Sequence, residues 1–450
     1  MFYLYVALFA TLSPWTLKAD HCPICLAPFH GRSEAPVVVK TQCCGHLFDL
    51  DCISKCFVDQ PIGSRQCAMC RQNPMPVVNQ NTSESHPDTF FPDQVFFDAC
   101  YDGDLDQVER SLANGVNVNA VIHDDFTGLM LASDGGHEAI VERLISAGAN
   151  LNATSTGGAT AIFFAVQENN IDCVKLLINA GADVNATFSN GATALLIAAK
   201  EGNTDCMKLL INAGADINAA LLDGATPLFF AAQENNIECV ELLINAGANL
   251  NARTENGTTP LFVAALRGNT DCVKALTEAN ADLNARNKNG ATPLLIAVWL
   301  GHTDCVEILI QVGADLKATR TSDGATPLFI AVQKNNTDCV KLLIKAGANL
   351  NARTIDGTTA LFTAALNGHT DCMETLIHVG ADLNAARTSD GATPLFIAAL
   401  NGDTDCVERL INAGADLDAA RTSDGATPLY IATAMGNTDC MEALIKAGAK

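Results

Sequence analysis

The sequence predicts a mainly α-helical repeat solenoid preceded by a small metal-stapled module, and three observations carry that expectation. A threonine recurs at Thr127, Thr160, Thr193, Thr226, Thr259, Thr292, Thr326, Thr359, Thr393 and Thr427, each 33 or 34 residues after the last. Nine cysteines repeat in the same register, from Cys173 to Cys440. Eight more crowd between Cys22 and Cys70, where large apolar side chains are few. A fixed period of this length marks stacked supersecondary units, each too small to bury its own apolar face alone.

Size and charge narrow the function. The chain has 450 residues, 48% of them hydrophobic, which is enough for substantial cores. It carries 27 basic and 50 acidic residues, a formal charge of −23. Residues 1–90 hold six Lys/Arg and seven Asp/Glu, so almost all of the excess lies on the repeats. Such a surface repels phosphate backbones and anionic membranes, which argues against nucleic acid as a partner.

The first segment, residues 1–19, opens on an almost wholly apolar run from Met1 to Leu12, followed by Pro14, Trp15, Lys18 and Ala19. Two readings fit it. One is an export or anchoring segment with Ala19 at a cleavage site. The other is a buried or mis-assigned start, since the run lacks a basic head and barely reaches across a bilayer. A membrane partner is expected only if the segment is an anchor.

Residues 20–71 read as a zinc module. They contain His21-Cys-Pro-Ile-Cys25, then Cys43-Cys-Gly-His-Leu-Phe-Asp-Leu-Asp-Cys52, then Cys67-Ala-Met-Cys-Arg71. Two Cys-x-x-Cys pairs flanking a Cys-x-His and a further Cys suit tetrahedral zinc, whose preferred ligands are thiolate and imidazole. A segment with so little apolar bulk needs metal for its folding energy.

The order of these residues resembles a RING finger, which binds two zinc ions in a crossed arrangement. The resemblance implies Cys22, Cys25, Asp49 and Cys52 at the first zinc, and Cys44, His46, Cys67 and Cys70 at the second. Asp49 departs from the family, where Cys or His is usual; a carboxylate still binds zinc, with lower affinity. His21, Cys43 and Cys56 are spare groups able to substitute. RING fingers bind a ubiquitin-conjugating enzyme and hold its thioester-linked ubiquitin ready for attack, which is catalysis by orientation without a covalent intermediate. The resemblance implies that Ile24 contacts the conjugating enzyme and that Arg71 bridges to ubiquitin. Cys56 and Ala68 depart from a common Trp and a common Pro.

Residues 72–92, with Pro74, Pro76, Pro87 and a run of Asn, Ser and Thr, read as a flexible polar tether. The repeats then fill 93–450. In a typical unit Thr226 is placed to cap a first short helix, with Pro227 in its first turn. Val240, Leu243 and Ile244 follow the spacing of a buried stripe on a second helix. Gly247 ends that helix in a left-handed conformation, a role Asn280 takes where glycine is missing.

These motifs resemble ankyrin repeats, in which two antiparallel helices alternate with a β-hairpin finger, and the likeness spans residues 93–450 in about eleven units. The first unit, from Asp93 to about Asp125, lacks the Thr-Pro start. The family's Thr-Pro-Leu-His histidine is replaced by Phe229, Phe262, Leu295, Phe329, Phe396 or Tyr430, so its hydrogen bonds to neighbouring loops are lost and apolar packing is expected to compensate. The resemblance implies a protein partner on the solenoid surface.

Two repeated features invite functional readings. The in-register cysteines occupy the slot of Ile140 in the second unit, so they read as small buried hydrophobes rather than a metal ladder. Asp172, Asp205 and Asp271 fall in first turns of second helices, where the helix dipole favours them, and are not read as catalytic. Arg253, Arg286, Arg320, Arg353, Arg387 and Arg421 recur at the finger tips. They read either as solvated loop charges or as a basic row for an acidic partner segment.

The sequence contains no P-loop, no His-Glu-x-x-His, no Gly-x-Ser-x-Gly and no dinucleotide glycine pattern. The expectation is a RING-type ubiquitin ligase whose solenoid recruits a protein substrate, working in the cytoplasm, or in a host cytosol if exported. Two rivals are a non-enzymatic scaffold with a structural zinc module and a secreted protein with disulfides. Free cysteines throughout the repeats argue against the last.

Overall fold

The computed structural model of the chain describes residues 38–41, 47–50, 53, 75, 77–79, 85–86 and 93–450. It divides into two compact units, residues 1–198 with 205–216, and residues 199–204 with 217–450.

The first unit contains a small antiparallel sheet of β1 (Val38–Thr41), β2 (Leu47–Asp49), β3 (Val77–Asn79) and β4 (Ser85–His86), in the order β2-β1-β3-β4. Val39 stands opposite Phe48 on one side and Asn79 on the other. The stiff β-branched residues Val38, Val39, Val77 and Val78 favour this pleated form. Val39, Ile53 and Val77 are fully buried. The tether expected over 72–92 thus supplies two short strands, because Val77 and Val78 pair with β1.

Helix pairs follow. Gln94–Asp102 packs on Leu105–Ala113, Gly128–Asp134 on Glu138–Ser146, and Ala161–Gln167 on Ile171–Asn179. Helix Ala194–Glu201 crosses from this unit into the second, and Thr204–Asn212 closes the first. The opening pair lacks the usual Thr because Asp93 does its work, accepting a hydrogen bond from Val95 N at 3.0 Å.

The second unit holds seven helix pairs. Their first helices are Pro227–Gln233, Pro260–Arg267, Pro293–Leu300, Pro327–Gln333, Ala360–Asn367, Pro394–Asn401 and Pro428–Met435. Their second helices are Ile237–Asn245, Thr270–Glu278, Thr303–Gln311, Thr337–Lys345, Thr370–His378, Thr404–Asn412 and Thr438–Ala447. First helices pack side by side, and second helices likewise.

Local chemistry makes each pair. Thr226, Thr259 and Thr292 accept hydrogen bonds from Phe229 N, Phe262 N and Leu295 N at 3.2–3.3 Å. Pro follows each of these caps, where a helix has no use for its missing N–H. Gly247 and Asn280 are left-handed, with φ of 84° and 66°, as the sequence predicts. The buried stripe differs slightly: Cys239, Val240 and Leu243 are sealed, while Ile244 is only half-buried. At 100° per residue Ile244 lies about 90° around from the centre of that trio, at the edge of the contact.

The fingers are tighter than a hairpin ladder. Two backbone bonds close each turn: Thr254 N donates to Thr258 O at 3.0 Å and Gly257 N to Thr254 O at 2.7 Å, and in a longer unit Arg320 N donates to Ala325 O at 3.0 Å and Gly324 N to Arg320 O at 2.9 Å. Among the described residues no helix is long and apolar enough to cross a membrane.

Candidate protein-interaction surface

The periodic cysteines are structural. All ten from Cys100 onward are free, and each is at most 1% exposed. Several contact the preceding repeat: Cys206 Sγ donates to Asn169 Oδ1 at 3.3 Å, and Cys305 Sγ lies 3.7 Å from Thr270 Oγ1. Burial pushes the Cys173 and Cys206 thiols up to about 11, and those of Cys100, Cys272 and Cys406 up to about 12. Such groups stay protonated and poorly nucleophilic at neutral pH.

A second repeated position, unremarked in the sequence, binds neighbouring repeats together. The residue before the second helix is Asn170, Asn236, Asn269, His302, Asn336 or His369, and each reaches back to the preceding first helix. Asn269 Nδ2 donates to Ala232 O at 2.8 Å and Gln233 O at 3.0 Å. Rings of His302 and His369 donate to Leu266 O at 3.2 Å and Val332 O at 2.8 Å. The orphan carbonyls at a helix end are thereby satisfied. Asn269 gives up capping its own helix to do this. The sequence signal was there, an amide or imidazole at fixed phase.

The lost family histidine is therefore replaced in two ways. These rungs supply polar links, and Phe262, Phe362 and Phe396 supply packing at 4%, 1% and 1% exposure.

The finger arginines do not form a free basic row. In the 34-residue units an extra residue, Thr319, Ala386 or Ala420, precedes the arginine, and its fork turns onto the aspartate three residues on. Arg387 Nη2 donates to Asp390 Oδ2 at 2.7 Å, and Arg320 and Arg421 hold Asp323 and Asp424 the same way. Their guanidinium groups also lie over aromatic rings, Arg387 at 5.1 Å from Phe362 and Arg421 at 4.8 Å from Phe396. In the 33-residue units the arginine reaches across to the next finger instead. Arg286 Nη1 donates to Thr319 O at 2.8 Å, Arg353 Nη1 to Ala386 O at 2.6 Å, and Arg253 to Arg286 O. Arg353 does so although Asp356 also stands three residues on, so the insertion and not the acid decides. The Arg421 hydrogen bond holds Asp424 down to about 2, and Asp323 and Asp390 are lowered by their arginines.

Of the predicted zinc ligands, Asp49 ends β2 opposite Val38. Cys22, Cys25, Cys44, His46, Cys52, Cys67 and Cys70 lie outside the described residues, as do Ile24, Arg71 and the segment 1–19. The donor set itself, seven thiol or imidazole groups and one carboxylate, fits two zinc ions in chemistry and number. Among the described residues no group of His, Cys, Asp and Glu is placed to hold a metal.

Stacked helix pairs, capped by Thr-Pro and separated by short turns, define a helical-repeat binding protein. A family model for ankyrin repeats (three copies) matches residues 96–188, 184–254, 251–320, 313–387 and 384–450. The chain belongs to the ankyrin-repeat family. It is similar to the crystal structure of the human ASB11 ankyrin repeat domain, at 31% identity and a TM-score of 0.42, over 45% of this chain and 90% of that one. No curated protein gives a match.

Proposed function

We propose that the protein is a RING-type ubiquitin ligase acting in the cytosol, in which residues 20–71 bind a ubiquitin-conjugating enzyme and the ankyrin repeats recruit the substrate. The repeats make it a protein-interaction scaffold. The ligase reading rests on one observation, the ordered ligands Cys22, Cys25, Cys44, His46, Asp49, Cys52, Cys67 and Cys70 ahead of the repeats. Zinc, bound there, supplies the folding energy of the module. Ile24 then provides the apolar contact to the conjugating enzyme and Arg71 the bridge to ubiquitin. Transfer proceeds by orientation, with the attacking lysine supplied by whatever the repeats hold.

The test is ubiquitin transfer by the full chain with a panel of conjugating enzymes. Ubiquitin chains are expected, and Ile24→Ala should abolish them while the chain stays folded and zinc-loaded. A folded, zinc-loaded wild type silent with every conjugating enzyme would leave a scaffold with a structural zinc module, the reading that Asp49, Cys56 and Ala68 favour.

A further inference from the structure

We infer that the ends of the first helices from Pro260–Arg267 to Pro394–Asn401 form a ledge that docks an extended, acidic segment of a partner protein, with apolar residues flanking its acid. The inference rests on the reading of the repeats as the protein-binding part, and specifies where and what they bind.

Two residues close each first helix in this stretch, and they lie side by side from repeat to repeat. Asn401 Nδ2 donates to Leu366 O at 2.8 Å, and Lys334 Nζ sits 3.7 Å from the centre of the Trp299 ring. From Leu266 to Asn401 none of these ten closing residues is acidic, in a chain with 50 acids against 27 bases. The corresponding ends just before this stretch in the same unit carry Glu201 and Glu234. The surface therefore changes character along the stack, from acidic to apolar with isolated cations.

The apolar part is open. Leu300 is 45% exposed and Leu366 40%, and Trp299 is half-buried, with the guanidinium of Arg320 5.0 Å from its ring. An accessible tryptophan is the kind of side chain on which binding hot spots centre, and exposed leucines extend the apolar patch around such an anchor. Two cations on the ledge are not neutralised by a carboxylate. Arg320 is spent on Asp323, but Lys334 and Arg267 are exposed and make no ion pair among the described residues. A basic or neutral segment would leave them unanswered, whereas an acidic one meets them.

Spacing fixes the register. Packed helices stand roughly 8–10 Å apart, and a segment extended as a polyproline II helix advances about 3.1 Å per residue with three residues per turn, so that every third side chain faces the same way. Successive repeats therefore meet every third residue of a segment running along the ledge. One apolar side chain lies against Trp299 and Leu300, an acid follows three residues on against Lys334, and a second apolar residue follows three further against Leu366.

The experiment pans a random-peptide display library against the full chain, then measures the recovered peptides by fluorescence anisotropy. Recovered sequences should share apolar-x-x-acidic-x-x-apolar, weaken with added salt, and lose at least tenfold in affinity to Trp299→Ala and to the exposed Lys334→Glu. A control at Asp371→Ala, on a second helix, should bind as wild type. Recovery of basic or uncharged peptides, or of no binders, overturns the proposal. So does affinity unchanged in folded Lys334→Glu, or self-association that Trp299→Ala abolishes, which would make a second copy the occupant. The assay involves neither zinc nor ubiquitin, so its failure and that of the ligase reading are separable.

Discussion

At the scale of single residues, the repeated cysteines show how a motif that looks reactive is made inert. A thiol needs its anion to react, and burial disfavours the anion. Cys272 is raised from an ordinary 9.0 to about 12 because it is sealed between repeats. A folded state that holds this proton more tightly than the unfolded one gains stability that is complete below about pH 9. That contribution is lost as pH rises toward 11–12, the range to which Cys173, Cys206, Cys100, Cys272 and Cys406 are pushed. The repeats should therefore fail on the alkaline side. At pH 8 the ten thiols from Cys100 onward should resist alkylation in the native chain and all react in urea, as peptide mapping by mass spectrometry would resolve. Rapid native labelling of several would show the packing to be looser than described.

At the scale of elements, stability comes from links between neighbouring units, as in any stacked array. The Asn and His rungs are the polar part of those links. Asn269→Ala removes two hydrogen bonds and should cost about 1–2 kcal/mol, read as a lowered urea midpoint. Asn269→His should recover much of it, because His302 and His369 already do this work one and three repeats further along. An unchanged midpoint in Asn269→Ala would mean that apolar contact alone holds the repeats. These rungs also mark where the sequence stopped being legible. Caps, breakers and buried faces follow from local periodicity, so Thr226, Pro227, Gly247 and Cys239 could be placed from their neighbours in sequence. The partner of Asn269 lies 36 and 37 residues away, and only the stacking phase reveals it. The arginines were harder still. One inserted residue ahead of Arg320 or Arg387 swings the guanidinium from the next finger to its own turn, and no local pattern encodes that. At β3, a tether predicted from polar composition gave way to Val77 and Val78.

At the scale of the whole molecule, the chain joins two kinds of sequence logic. The repeats are held by cores that recur down the chain, and their net negative charge falls on a surface that suits selective protein contact over nucleic acid. The segment before them has little apolar bulk, its described core being Val39, Ile53 and Val77. Its ligand spacing is legible because zinc dictates it, whereas the surface that would meet a conjugating enzyme involves single residues such as Ile24 and Arg71. The ligase reading depends first on those cysteines being metal ligands. Native mass spectrometry of the full chain tests this most directly. The account predicts two zinc ions per chain, released by chelator or acid with loss of the folded N-terminal module. A chain carrying no zinc, with its eight N-terminal cysteines oxidised to disulfides, would contradict it.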